Sequence, residues 1–121
     1  MDRVAFITTE SGDDLIVSFA IQCLEDASAI ESLILIRTPK YESLVDEDER
    51  GVSVSFERYD EREDDYLEAV EYLDAEKIVR VRTSLNQYDL DVRRVGAKEL
   101  KQMRQVLRKM NYDHKFKASG V

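Results

Sequence analysis

The spacing of apolar residues changes period once along this chain, at Gly96, and a change of that kind decides which class of fold is open to it. Ahead of Gly96 the clearest patterns have a period of two. Val52, Val54 and Phe56 alternate with Ser53, Ser55 and Glu57, while Ile78 to Thr83 and Tyr88, Leu90 and Val92 alternate around Ser84-Leu85-Asn86-Gln87. A strand points successive side chains to opposite faces, so such a run reads as a strand with one face buried and one wet. Beyond Gly96, Leu100, Met103, Val106 or Leu107, and Met110 recur every three to four residues, with Lys98, Lys101, Arg104, Arg108 and Lys109 on the other faces. That spacing predicts an amphipathic helix from about Ala97 to Met110. The fold class expected is α+β: a mainly antiparallel β-sheet built from hairpins, with a C-terminal amphipathic α-helix packed on it.

Arg3 to Thr9 is a short apolar run followed by the turn composition Ser11-Gly12-Asp13-Asp14. Leu15 to Leu24 fits both periods, and its β-branched and aromatic content favours a strand. Leu33-Ile34-Leu35-Ile36 is a buried-strand signal closed by Thr38-Pro39, and it is expected to form a hairpin with the Val52 to Phe56 strand. In the stretch from Tyr66 to Leu73, Leu67, Val70 and Leu73 suit a helix capped by Asp64 or Asp65, whereas Val70 and Tyr72 suit a strand turning at Asp74-Ala75-Glu76. The reading leans to strand. His114 to Val121 has few apolar residues and reads as a frayed, disordered tail, so the expected organisation is one α+β domain over 1–113 with a tail at 114–121. A chain of 121 residues is long enough to bury a core without disulfides or metals.

Charge is segregated along the length. Glu42 to Glu76 carries fifteen acidic residues against three arginines, and Lys77 to Val121 carries twelve basic against four acidic, within a chain of net charge −8. The overall sign opposes nucleic-acid binding by the basic third (Arg80, Arg82, Arg93, Arg94 and the helix), because phosphate attraction is summed over charges within a Debye length of about 10 Å. The only cysteine, Cys23, allows no intramolecular disulfide and suits a reducing compartment. Met1-Asp2-Arg3-Val4 lacks the basic and apolar regions of a signal peptide, and no apolar run nears the roughly 18 residues of a membrane span, so a cytoplasmic location and no membrane partner are expected.

The motifs of catalysis and metal binding fit poorly. Asp46, Asp48, Gly51 and Glu57 have the spacing of a calcium loop, but its fifth position is Arg50, a cation where an oxygen ligand is needed, and the flanks read as strands. The run Asp60 to Asp65 is too hydrophilic to hold one carboxyl group protonated for acid–base work. The single histidine, His114, falls in the expected tail, and the four glycines at 12, 51, 96 and 120 are scattered rather than gathered into a phosphate loop. No enzyme activity, metal or other cofactor is expected.

What survives is a binding module whose acidic surface meets a basic protein partner. Tyr41, Tyr59 and Tyr66 flank the acidic stretch, and tyrosine is favoured at interface centres. The candidate contact residues are Asp46, Glu47, Asp48, Glu49, Tyr59, Asp60, Glu61, Glu63, Asp64 and Asp65. Taken together, Ser32 to Arg37, the loop and strand from Asp46 to Phe56, Tyr66 to Thr83 and the helix Glu99 to Arg108 resemble immunity proteins of bacterial polymorphic toxin systems, in particular the tenth immunity family. That resemblance implies a small α+β protein that neutralises a cognate toxin by direct contact, the acidic loops blocking the phosphate site of a basic nuclease. The alternative is a structural or regulatory homo-oligomeric domain, acidic loops of one protomer contacting the basic helix of another.

Overall fold

The computed structural model describes residues 1–23, 25–26, 28–58 and 64–121. Among the described residues the strands are β1 (Asp2–Ser11), β2 (Leu15–Gln22), β3 (Ile30–Arg37), β4 (Ser53–Phe56), β5 (Leu67–Leu73), β6 (Ile78–Thr83), β7 (Gln87–Asp91) and β8 (Lys117–Ser119), with one helix, α1 (Ala97–Met110), before the last strand. They form a mixed sheet in the order β4-β3-β2-β1-β7-β6-β5-β8. The expected hairpins β3/β4 and β6/β7 are present as antiparallel pairs, and Leu15 to Gln22 and Leu67 to Leu73 are strands. The sheet is less uniformly antiparallel than expected, because β1 with β7 and β5 with β8 pair in parallel.

The sheet closes on itself. Ser53 bridges Tyr66, the Val54 amide donates to the Asp65 carbonyl at 2.9 Å, and the Leu67 amide donates to the Val52 carbonyl at 2.9 Å. The outer edge of β5 is thereby divided, its first residues meeting β4 and Ala69 to Glu71 meeting β8. Closure and cover of this kind leave few unpaired backbone groups for another chain to exploit.

Two β-bulges set which side chains face inward. In β1 the register slips between Val4 and Phe6, so one extra residue turns the strand over; Ile7 is 3 % exposed whereas Phe6 is 42 % exposed. In β5 a slip between Leu67 and Ala69 brings both Leu67 and Val70 inside. Inward residues three apart imitate a helical stripe, which is why this segment reads two ways in the sequence.

On the other side of the ring, β1 and β7 are paired only at Asp2 with Leu90 and Arg3 with Asp91. Helix α1 lies against β1 and β2, its buried stripe being Leu100, Met103, Val106, Leu107 and Met110. Glu99 accepts the Ile7 amide at 3.4 Å and Lys109 reaches the Ser11 hydroxyl at 2.7 Å, so the helix runs along β1 and covers backbone that β7 leaves unpaired. Ten helical residues span about 15 Å and four strand residues about 13 Å, close enough for the two elements to stay side by side.

Segment 114–121, expected to fray, is ordered. Phe116 is buried in the core, Lys117–Ser119 form β8 beside β5, and Gly120 turns at φ +74 against the Tyr72 carbonyl. A strand of three exposed residues has too little length to show a period, so its place is decided by the free edge of β5. No described helix is long and apolar enough to cross a membrane.

Candidate functional site

The site is built outward from Arg37, the last residue of β3. Alternation along β3 puts Arg37 on the same inward face as Leu33 and Leu35, and its side chain is fully buried. A buried guanidinium must have its charge and its donors satisfied, and this one is. Nε and Nη2 donate to the two Glu42 carboxylate oxygens at 2.9 Å each, and Nη1 and Nη2 donate to the two Asp113 oxygens at 2.8 Å each. Nη1 also donates at 2.7 Å to the Met110 carbonyl at the end of α1, and the Tyr112 ring lies 4.4 Å from the guanidinium carbon. Burial alone would lower the Arg37 pKa, but the bonds to Asp113 and Glu42 reverse this and hold it above the ordinary value. For Glu42, burial works upward, and the bonds from Arg37 and Tyr112 outweigh it to leave the carboxyl below its usual range.

This cluster braces the segment between β3 and β4. Glu42 sits in a 3₁₀ turn, Pro39–Leu44, and accepts the Gly51 amide at 3.2 Å as well as the Tyr112 hydroxyl at 2.8 Å. Thr38 donates to Asp14 at 2.7 Å, and Arg50 donates to the Val45 carbonyl at 3.2 Å. The loop is therefore pinned at both ends and in the middle, and a second 3₁₀ turn, Glu47–Glu49, stands on it.

Asp46, Glu47, Asp48 and Glu49 are all exposed, and their carboxylates have no ion pair or side-chain hydrogen bond among the described residues. Closure at Ser53 and Tyr66 brings Asp64 to the same place. The Tyr66 hydroxyl is held above its usual pKa by burial first and then by the charges of Asp64, Glu49 and Asp48. Two acidic segments separated in sequence thus converge on one tyrosine at the β4/β5 junction.

The other candidates fare differently. Asp65 is not part of an outward acidic face: it is 7 % exposed, and its carboxylate accepts from Thr83 at 2.7 Å, Ser84 at 2.7 Å and the Leu85 amide at 3.0 Å, which ties the β6/β7 turn to the start of β5. Tyr59, Asp60, Glu61 and Glu63 lie outside the described residues. The acidic middle is also partly neutralised by the basic third, since Arg80 pairs with Glu71 and Asp89 and Arg82 pairs with Glu68. Cys23 donates to Glu31 at 3.1 Å, a bond that with burial raises the thiol pKa and keeps it protonated.

The Arg37, Glu42, Tyr112 and Asp113 cluster is absent from the residues picked out in the sequence. The available signal was parity: a strand with Leu33 and Leu35 inward places Arg37 inward too, and an inward arginine requires partners. Compared with protein-family models, curated proteins and solved structures, the chain matches none of them.

Proposed function

We propose that this protein is a non-catalytic binding protein whose acidic loop surface, formed by Asp46 to Glu49 with Asp64, docks a basic protein. The observation that carries this reading is the set of four carboxylates, Asp46 to Glu49, exposed and without a partner among the described residues on a loop braced by Arg37 and Glu42, two of which, Asp48 and Glu49, act with Asp64 on Tyr66. Carboxylates without internal partners remain available to a cation, and a loop already held in place gives up little further entropy on binding. Within that class, the sequence resemblance favours an immunity protein that works in the cytoplasm and neutralises a basic, phosphate-handling toxin by covering its active site.

The test is association kinetics with a basic protein that co-purifies with the chain. Replacing Asp46, Glu47, Asp48 and Glu49 together by lysine should slow association at least tenfold at low salt, with the difference shrinking as ionic strength rises. An unchanged rate at low salt would sink the reading. A second reading, a homo-oligomer, draws on the exposed Lys98, Lys101, Arg108 and Lys109 along the outer side of α1. It predicts a particle mass in light scattering that falls as salt is added.

A further inference from the structure

The turn that carries the acidic loop also presents apolar residues outward. Within five consecutive positions, Tyr41 is 55 %, Leu44 79 % and Val45 39 % exposed, and none of the 3₁₀ turn Pro39–Leu44 is buried. Exposed apolar residues scattered singly over a surface call for no explanation, but three together on a braced turn beside four carboxylates that have no partner among the described residues have the layout of an interface, an apolar centre with a charged rim. Their exposure is not a sign of a loose loop. Tyr41 and Val45 donate backbone bonds to the Thr38 and Glu42 carbonyls at 3.1 and 3.3 Å, and the Glu42 side chain is clamped by Arg37. An apolar side chain held rigidly in water gains most when a complementary recess covers it.

We propose that Tyr41, Leu44 and Val45 form the apolar anchor of the docking surface, and that the occupant is a basic protein face in which cationic groups surround an apolar recess. Charge complementarity selects this occupant: the anchor is adjoined by Asp46 to Glu49. The inference rests on the proposed binding function and adds to it the residues that supply affinity rather than steering.

Two synthetic peptides of equal length and charge separate the claims: one of lysine and leucine, the other of lysine and serine, each titrated into the ¹⁵N-labelled full chain. The leucine peptide should shift the amides of Tyr41, Leu44 and Val45 together with those of Asp46 to Glu49, and should bind about tenfold more tightly than the serine peptide. Leu44→Ser and Tyr41→Ser should remove that advantage and leave the unfolding midpoint unchanged, since neither side chain is buried. Equal binding of both peptides at Asp46 to Glu49 alone overturns the anchor and leaves the acidic docking surface standing. Leucine-peptide shifts at Leu44 that persist at high salt keep the anchor and overturn the charge reading. Absence of shifts at these residues overturns both. Shifts at Leu44 that grow with protein concentration without peptide make a second copy the occupant, against the proposal.

Discussion

Arg37 draws one carboxylate from close by in the chain, Glu42 five residues on, and the other from far along it, Asp113 seventy-six residues on. Removing a member of a buried ion pair usually costs about 3 to 5 kcal/mol, because the remaining charge is left without a partner. Arg37→Met should therefore lower the free energy of denaturant unfolding by about 3 kcal/mol, the lower end because Asp113 is partly exposed and can rehydrate. Arg37→Lys should recover only part of this, since an ammonium cannot bind two carboxylates side by side. The cluster also sets a pH dependence. Glu42 and Asp113 both titrate below their ordinary values of 4.5 and 3.8, and Asp91, bonded by the Arg93 side chain and amide, is brought down to about 2. Depressed folded pKa values mean that the unfolded chain binds protons first, so this stability is present above about pH 4.5 and is lost as the pH falls toward 2. The denaturation midpoint should decline through that window, with a shallower slope in Asp91→Asn. Asp65→Ala should cost about 1 to 3 kcal/mol by orphaning the donors of the Thr83 to Leu85 turn. Arg37 was legible as an inward charge, but Asp113 was not, because no local spacing relates it to β3.

Among the elements, α1 was legible in extent, since its apolar stripe is determined by one period, although Val106 and Leu107, read as alternatives, are both buried. Strand β1 was legible as a strand and β5 only as a segment open between helix and strand that leaned to strand, and neither was legible in its facing. A single extra residue in each turns the strand over, and nothing in the spacing of Val4, Phe6 and Ile7 tells which of the two neighbours goes inside. The bulge in β1 predicts an asymmetry between neighbours: Ile7→Ala should lower stability by about 2 to 5 kcal/mol, whereas Phe6→Ala should stay within about 0.5 kcal/mol, both read from urea midpoints. Strand β8 was missed because it is short and polar, and its backbone position depends on Gly120. A side chain there would collide with the Tyr72 carbonyl, and the φ of +74 disfavours any other residue. Gly120→Ala should therefore release β8, seen as loss of hydrogen-exchange protection in Ala69 to Glu71 with little change along α1.

For the whole molecule, closure of the sheet converts a linear charge pattern into a surface. Glu68 and Glu71 are consumed by Arg82 and Arg80 across the β5/β6 pair, while Asp46 to Glu49 and Asp64 remain outward, Asp48, Glu49 and Asp64 near enough for their charges to act on Tyr66. The Asp46 to Glu49 lysine variant should consequently keep its thermal midpoint within a few degrees or gain slightly at low salt, because the net charge of −8 is cancelled and repulsion across the whole molecule falls. A scan of thermal stability against ionic strength checks this. Sequence alone determined the α+β class, the hairpins β3/β4 and β6/β7, the helix and the abundance of negative charge between residues 42 and 76, because each follows from local period or composition. Only the tertiary structure decided the inward facing of β1 and β5, the β4/β5 closure, the eighth strand, the Arg37 cluster and the division of carboxylates into spent and free. Those depend on which residues distant in the chain meet, and a backbone hydrogen bond or a buried charge is satisfied by whatever partner the closed sheet delivers, leaving no periodic trace in the sequence.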